Sequence, residues 1–216
     1  MLTLHYLPVC PSCRSVLMLA HELDLIMELK PVDLQAKEHL TPDFLSMNPA
    51  HTVPVLQDDA TGLTLFESRA IMCYLVDKYA PDHALYPQDL VKRAAIHKWL
   101  YFDCGTLIPS SRPLLKHVLG KGDAVPDAAN QLAESLRIVE QMLVDQGTKY
   151  VTGDQMTIAD LDLLIAIDFP VVLADVSLTP YPSLDKWFSI MTTELTCYED
   201  ISGQRIRKLK QKLSPA

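Results

Sequence analysis

Between Leu2 and Leu7 apolar and polar residues alternate, with Leu2, Leu4 and Tyr6 on one side of Thr3 and His5. A period of two predicts a half-buried strand. Beyond Pro8 the interval lengthens, and Val16, Leu17, Leu19, Ala20 and Leu23 recur at helical spacing. Pro11 and Ser12 stand near the first turn of that helix, where proline is tolerated and serine can cap. Met27 to Val32 reads as a second strand, so the opening is β-α-β, a parallel pair with a right-handed crossover. The residues from Asp33 to Leu40 have no clean period and predict a polar loop. Thr41-Pro42 starts a short helix that Asn48-Pro49 ends. Val53-Pro54-Val55-Leu56 is a strand carrying a proline, which cannot donate to a ladder. It must therefore sit at an edge, begin there, or turn its backbone toward something else. Asp58 to Gly62 predicts a hairpin loop into Leu63–Phe66, and Ile71, Tyr74, Leu75 and Lys78 trace a helix that stops before Pro81.

Strand signals then disappear. The segment from Ala80 to Asp89, with Pro81, Pro87 and His83, suits a linker. The expected division is a first α/β domain over about 1–80, a linker at 81–87 and an all-helical domain over 88–216. Asp89 to about Leu119 is helical in pattern, with a break expected at Pro109 and Pro113. Pro126 to Gln146 is amphipathic, with Leu132, Leu136, Val139, Leu143 and Val144 on one face and Gly147 as a stop. Thr157-Ile158-Ala159-Asp160 is a capping signature ahead of Leu161–Phe169, with Asp in place of the usual Glu. A helix from Ser183 to about Thr193 and a more basic one from Glu199 to Leu213 close the chain.

Composition narrows the function. The 216 residues, 49% of them hydrophobic, can bury a real core. A net charge of -8 argues against general binding to nucleic acid or anionic membranes, leaving Arg205 to Lys212 as a local basic patch. The apolar runs are too short to span a bilayer, and no charged-then-apolar leader precedes Leu2. Cys10, Cys13, Cys73, Cys104 and Cys197 are odd in number and scattered, which fits a reducing cytosol better than a secreted disulfide framework. The histidines show no metal-ligand spacing, so no metal is expected.

The chemistry to expect is sulfur chemistry. Cys10 and Cys13 sit at a strand-to-helix turn, where first-turn amides lack partners and the helix dipole favours negative charge. Such a place stabilises a thiolate, whether the protein's or a ligand's.

The order of elements resembles a thioredoxin-like α/β domain followed by an all-α domain. The residues bring the comparison closer: Tyr6-Leu7-Pro8 with Cys13 to Met18; Leu34-Gln35-Ala36 with Glu38-His39-Leu40; Asn48 to Pro54; Glu67 to Ile71; and Thr157 to Leu161. In this order and spacing they resemble the cytosolic glutathione S-transferases, in detail the insect delta and epsilon classes, over essentially the whole chain. The resemblance implies a cytoplasmic, homodimeric, detoxifying transferase, with glutathione as co-substrate and no other cofactor. It implies that Pro54 is cis and that Val53 offers its backbone to glutathione, where an extended peptide can pair. Glu67, Ser68 and Arg69 would hold the carboxylate and ammonium of the ligand. His39 and His51 would flank its glycine end, and Asp160 would serve folding as a cap. The acceptor pocket implied lies between the domains and is lined by Leu7, Pro11, Leu34, Ile108, Ser111 and Leu115. Ile108, Ser111 and Lys116 stand where relatives often carry aromatics, so chloronitrobenzene acceptors are expected to be poor substrates.

One departure matters. Alignment on Pro8 and Cys13-Arg14 puts Cys10 where delta enzymes place a catalytic serine, and Ser12 appears two residues later. Each unit by which a thiol pKa falls needs about 1.4 kcal/mol of preferential thiolate stabilisation. A hydroxyl bonding a charged acceptor supplies roughly 1.5–3 kcal/mol, whereas a cysteine S–H is a weak donor. Three readings stay open. Ser12, or backbone amides alone, could activate glutathione for conjugation to electrophilic, mostly apolar compounds. Cys10 could act as the nucleophile of a thiol transferase, with Cys13 resolving the mixed disulfide. Catalysis could also have been lost, leaving a carrier of glutathione or hydrophobic ligands. Conjugation is the reading preferred, because the other motifs are all delta-like.

Overall fold

In the computed structural model the described residues are 1–213, and the chain divides into two compact units, Met1–Pro81 and a second beginning at Asp82. The first unit holds β1 (Leu2–Tyr6), α1 (Pro11–Glu22), β2 (Met27–Pro31), α2 (Pro42–Met47), β3 (Val55–Asp58), β4 (Leu63–Phe66) and α3 (Ser68–Tyr79). Its sheet runs in the order β2-β1-β3-β4, with β1 parallel to β2 and antiparallel to β3, and β3 antiparallel to β4. Leu4, Val16, Leu19, Leu56, Ile71 and Leu75, all buried, form the core where α1 and α3 pack.

Two local expectations are corrected. The strand expected at Val53 begins at Val55 and lies inside the sheet, so Pro54 precedes the ladder and costs it no hydrogen bond. The cap of α1 is Cys10, in extended conformation with no side-chain capping bond, and Ser12 already lies within the helix.

The second unit holds α4 (Leu90–Phe102), α5 (Ile108–Val118), α6 (Ala128–Gln146), α7 (Ile158–Ala174), α8 (Pro182–Glu194) and α9 (Gln204–Leu213). From Ile158 to Pro170 every residue of α7 is buried, Asp160, Asp162 and Asp168 among them. It packs against α4, α5, α8 and α9. The break expected at Pro109 and Pro113 falls earlier, in a π-helical turn at Asp103–Leu107. Pro109 then occupies the first turn of α5, where its missing N–H is harmless, and Pro113 is carried inside the helix. A second π turn, Glu199–Gly203, precedes α9 where one continuous helix was expected.

Candidate active site

Register builds the site. His5 of β1 stands opposite Val55, and Val55 stands opposite Phe66 of β4. Where β1 leaves the sheet, β3 therefore enters and β4 leaves. Three segments far apart in sequence emerge at one end of the sheet: Leu7 to Cys10, Val53-Pro54, and Glu67-Ser68.

At the first of these, the Cys10 N–H donates to the Leu7 carbonyl at 3.0 Å, and the Cys10 carbonyl accepts from Arg14 N–H at 3.1 Å to open α1. Cys10 is half-buried, and its Sγ lies 3.9 Å from the Val53 carbonyl oxygen. Cys13 is fully buried, and its sulfur accepts the Leu7 N–H at 3.4 Å. A side-chain hydrogen bond from Cys13 is the main cause that pulls the Cys10 thiol down to about 7; burial opposes it, while the N–H groups of Cys13 and Ser12 and the Arg14 charge assist. Burial, and then the bond to Cys10, push the Cys13 thiol far above its ordinary value. Of the two sulfurs, the charge belongs on Cys10. The Ser12 side chain, two residues further on, is half-buried.

The second segment is set by Asn48, fully buried at the end of α2. Its Nδ2 donates to the Thr52 carbonyl at 2.9 Å and to Thr52 Oγ1 at 3.0 Å, and its Oδ1 accepts from Ala50 N–H at 2.9 Å. These bonds hold the turn in which His51 takes a left-handed φ of 48° and which leads into the Val53-Pro54 bond, which is cis. His39 stands on a 3₁₀ turn, Glu38–Leu40, and the loop before it is tied by Asp33 N–H to the Glu38 carboxylate at 2.7 Å. The His39 and His51 rings lie 6.2 Å apart, and His39 Nδ1 is buried without a hydrogen-bond partner among the described residues. A sequence reading treats Asn48 as a helix stop; its polar side chain ahead of Pro49 was the available signal of a turn organiser.

The third segment holds Glu67 at φ 73°, a conformation that costs a non-glycine residue of order 1–3 kcal/mol. It starts α3 without a side-chain cap and is exposed, Ser68 beside it is buried, and Arg69 is half-buried. A strained residue at an open helix start suits recognition of an anion or an ammonium group.

The residues expected to meet an acceptor are placed unit by unit. In the first unit Leu7 and Pro11 are half-buried, and Leu34 packs against the cluster of Val32, Phe44 and Val55. In the second, Ile108 is half-buried at the start of α5, and Ser111 Oγ donates to the Ile108 carbonyl at 3.0 Å. Leu115 packs against Phe169, Leu173 and Ile206, while Lys116 is exposed. Asp160 does the work of a cap and more. Its carboxylate accepts from Val151 N–H at 2.9 Å, Thr157 N–H at 2.9 Å, Thr157 Oγ1 at 3.1 Å and Trp187 Nε1 at 3.1 Å.

The family model described as glutathione S-transferase, N-terminal domain, matches residues 9–78, and that described as glutathione S-transferase, C-terminal domain, matches residues 106–194. A delta-class glutathione transferase of Nilaparvata lugens is 34% identical, with a TM-score of 0.89 over 99% of this chain and 98% of the other. An epsilon-class glutathione S-transferase from the housefly, Musca domestica, is 33% identical, with a TM-score of 0.88 over 99% and 97%. A glutathione transferase homologue from Drosophila mojavensis with bound glutathione is 33% identical, with a TM-score of 0.87 over 98% and 96%.

Proposed function

The chain belongs to the glutathione S-transferase family and is a glutathione-conjugating enzyme, and from that premise we propose how its own residues hold and activate the tripeptide. Glutathione lies across the end of the sheet with its main chain beside Val53 and Pro54. Glu67, Ser68 and Arg69 take the γ-glutamyl end, and His39 and His51 take the glycine end, where His39 Nδ1 still needs a partner. The sulfur then points at residues 10 to 12.

One observation carries this reading: Cys10 Sγ and the Val53 carbonyl, 43 residues apart, are within 3.9 Å. A peptide paired with Val53 therefore delivers its thiol to the opening turn of α1. Cys10, lowered to about 7, is the stronger acid of the two thiols, so as a thiolate it takes the incoming proton only with help. A free thiol near 8.5 is uphill by about 2 kcal/mol. A charged hydrogen bond from the Ser12 hydroxyl, worth roughly 1.5–3 kcal/mol, and the helix start, at about 0.3–1 kcal/mol, offset that difference. Glutathione is then held as thiolate, with the proton resting on Cys10.

The electrophile is a small, mostly apolar compound that meets Leu7 and Pro11 beside the sulfur, and Ile108, Ser111 and Lys116 offer it no aromatic stacking. Chloronitrobenzenes are accordingly poor acceptors. The enzyme works in the cytoplasm as a homodimer; no helix among the described residues is long and apolar enough to cross a membrane. Family membership does not favour a carrier or a thiol transferase in place of conjugation. The test is a glutathione-affinity column with a parallel panel of electrophiles. Retention with turnover is expected, and retention without turnover on any electrophile would overturn the catalytic reading.

A further inference from the structure

We propose that Asn48 is a positioning residue for the transferase reaction: it aims the Val53 N–H at glutathione without touching the ligand itself. The proposal rests on the reading that glutathione pairs with the backbone at Val53, and it names the side chain that holds that backbone ready.

The turn between α2 and β3 has apolar anchors at both ends. Met47 before it and Val53 after it pack against one cluster, formed by Val32, Phe44 and Val55. Pro49 to Thr52, between them, are all exposed. Asn48 is fully buried and bonds to each of the three residues that follow Pro49. Its Oδ1 accepts from Ala50 N–H, and its backbone carbonyl accepts from His51 N–H at 2.9 Å. Its Nδ2 donates to both the carbonyl and the hydroxyl of Thr52.

The bond to the Thr52 carbonyl has the largest consequence. That carbonyl and the Val53 N–H belong to one planar peptide unit, and in a trans unit the two groups point in opposite directions. The peptide bond before Val53 is trans, since the cis bond, Val53-Pro54, comes after it. Drawing the Thr52 carbonyl in toward Asn48 therefore turns the Val53 N–H away from Asn48. That N–H donates to no group among the described residues. An extended peptide that pairs with one strand residue exchanges two bonds with it, one at the N–H and one at the carbonyl. The Val53 carbonyl lies 3.9 Å from Cys10 Sγ, and the direction of the N–H is set by Asn48. Without Asn48 the 52–53 peptide unit can rotate, and the ligand must order it on binding.

The test uses the full chain with glutathione, and with S-methylglutathione as a probe whose sulfur is blocked. In the wild type, hydrogen exchange at the Val53 amide should be fast without ligand and about tenfold slower with S-methylglutathione bound. Asn48→Asp keeps the acceptor for Ala50 N–H and removes both donors to Thr52. It should raise KM for glutathione about tenfold and leave kcat at saturating glutathione within about twofold of wild type, because the residue acts on binding and not on the chemical step. Thr52→Val loses only the hydroxyl and should raise KM by less than about threefold. Urea unfolding of each variant reports separately on the fold. An unchanged KM in folded Asn48→Asp would overturn the proposal, and so would a fall in kcat with KM unmoved. If Asn48→Asp does not fold, the wild-type exchange decides: a Val53 amide already slow without ligand, or still fast with S-methylglutathione bound, overturns it. A wild type that binds no S-methylglutathione would instead sink the glutathione site.

Discussion

Helices α7 and α1 face the same problem at their starts, four backbone N–H groups with no partner inside the helix, and answer it differently. At α7 the protein closes the account itself: Asp160 and Thr157 exchange bonds, and the same carboxylate also takes Val151 N–H and Trp187 Nε1. The starts of α2, α4 and α8 are closed likewise, by Thr41, by Asp89 and by Glu140 reaching across from α6. At α1 a thiol stands where a capping oxygen would, and at α3 a strained glutamate does. An open start alone marks nothing, since α6 also begins without a side-chain cap. What distinguishes α1 and α3 is that the sheet register brings both beside the Val53-Pro54 backbone. Closed starts serve folding; the open ones that converge are those the proposed glutathione site uses.

The comparison breaks first at Asp160. Asp160→Ala leaves its donors buried and unpaired, and urea denaturation should show a loss of about 3–5 kcal/mol. A loss under about 1 kcal/mol would mean that the closed start is not what anchors α7.

Asp58 is a second self-satisfied site, and it sharpens the contrast within the first unit. Burial works to raise its pKa, but the hydroxyls of Tyr74 and Tyr79, each at 2.5 Å, and the Ala60 N–H hold the carboxyl below its ordinary range. Asp58→Asn should cost about 2 kcal/mol near neutrality. Because the folded pKa is depressed, this stabilisation is present above the unfolded value of 3.8 and is lost as pH falls through the lower folded one. The gap between wild type and variant should therefore narrow below about pH 4; a gap that widened there would contradict the assignment.

At the open start of α1 the expected effect is on rate. Cys10→Ala should lower conjugation kcat/KM by about 10- to 100-fold while changing stability by less than about 1 kcal/mol. If Ser12→Ala alone abolished conjugation, the hydroxyl and not the sulfur would be the activating group. Alkylation by iodoacetamide should modify Cys10 with a midpoint near pH 7 and spare Cys13. A Cys10 midpoint at 8.5 or above would leave it an ordinary thiol.

The smallest effect is at Glu67. Glycine adopts φ 73° without penalty, so Glu67→Gly should stabilise the fold by about 0.5–1 kcal/mol in urea while raising KM for glutathione. Stability gained with no change in KM would show that the strain has no functional purpose.

Much of this was legible in the chain. Alternation and helical spacing marked nearly every element, because burial on one face leaves a period in the sequence. Thr157 to Asp160 announced a cap, because capping is local and spans one turn. Local pattern misled where the answer was not local. Pro109 and Pro113 pointed to a break that a π turn at Asp103–Leu107 had already absorbed. Ser12 looked like a cap because serine caps well, yet the chain enters the helix two residues earlier, at Cys10.

The sequence by itself determined the two-part architecture, the family, and the pair of thiols at the start of the first helix. Only the tertiary structure decided which sulfur bears the charge and what it faces. Both cysteines share one turn, so spacing treats them alike; burial separates them, and burial is set by how α1 packs on the sheet. The nearness of Cys10 to Val53, and the exit of Glu67 at the same end of the sheet, come from strand register, which joins residues that no window along the chain contains.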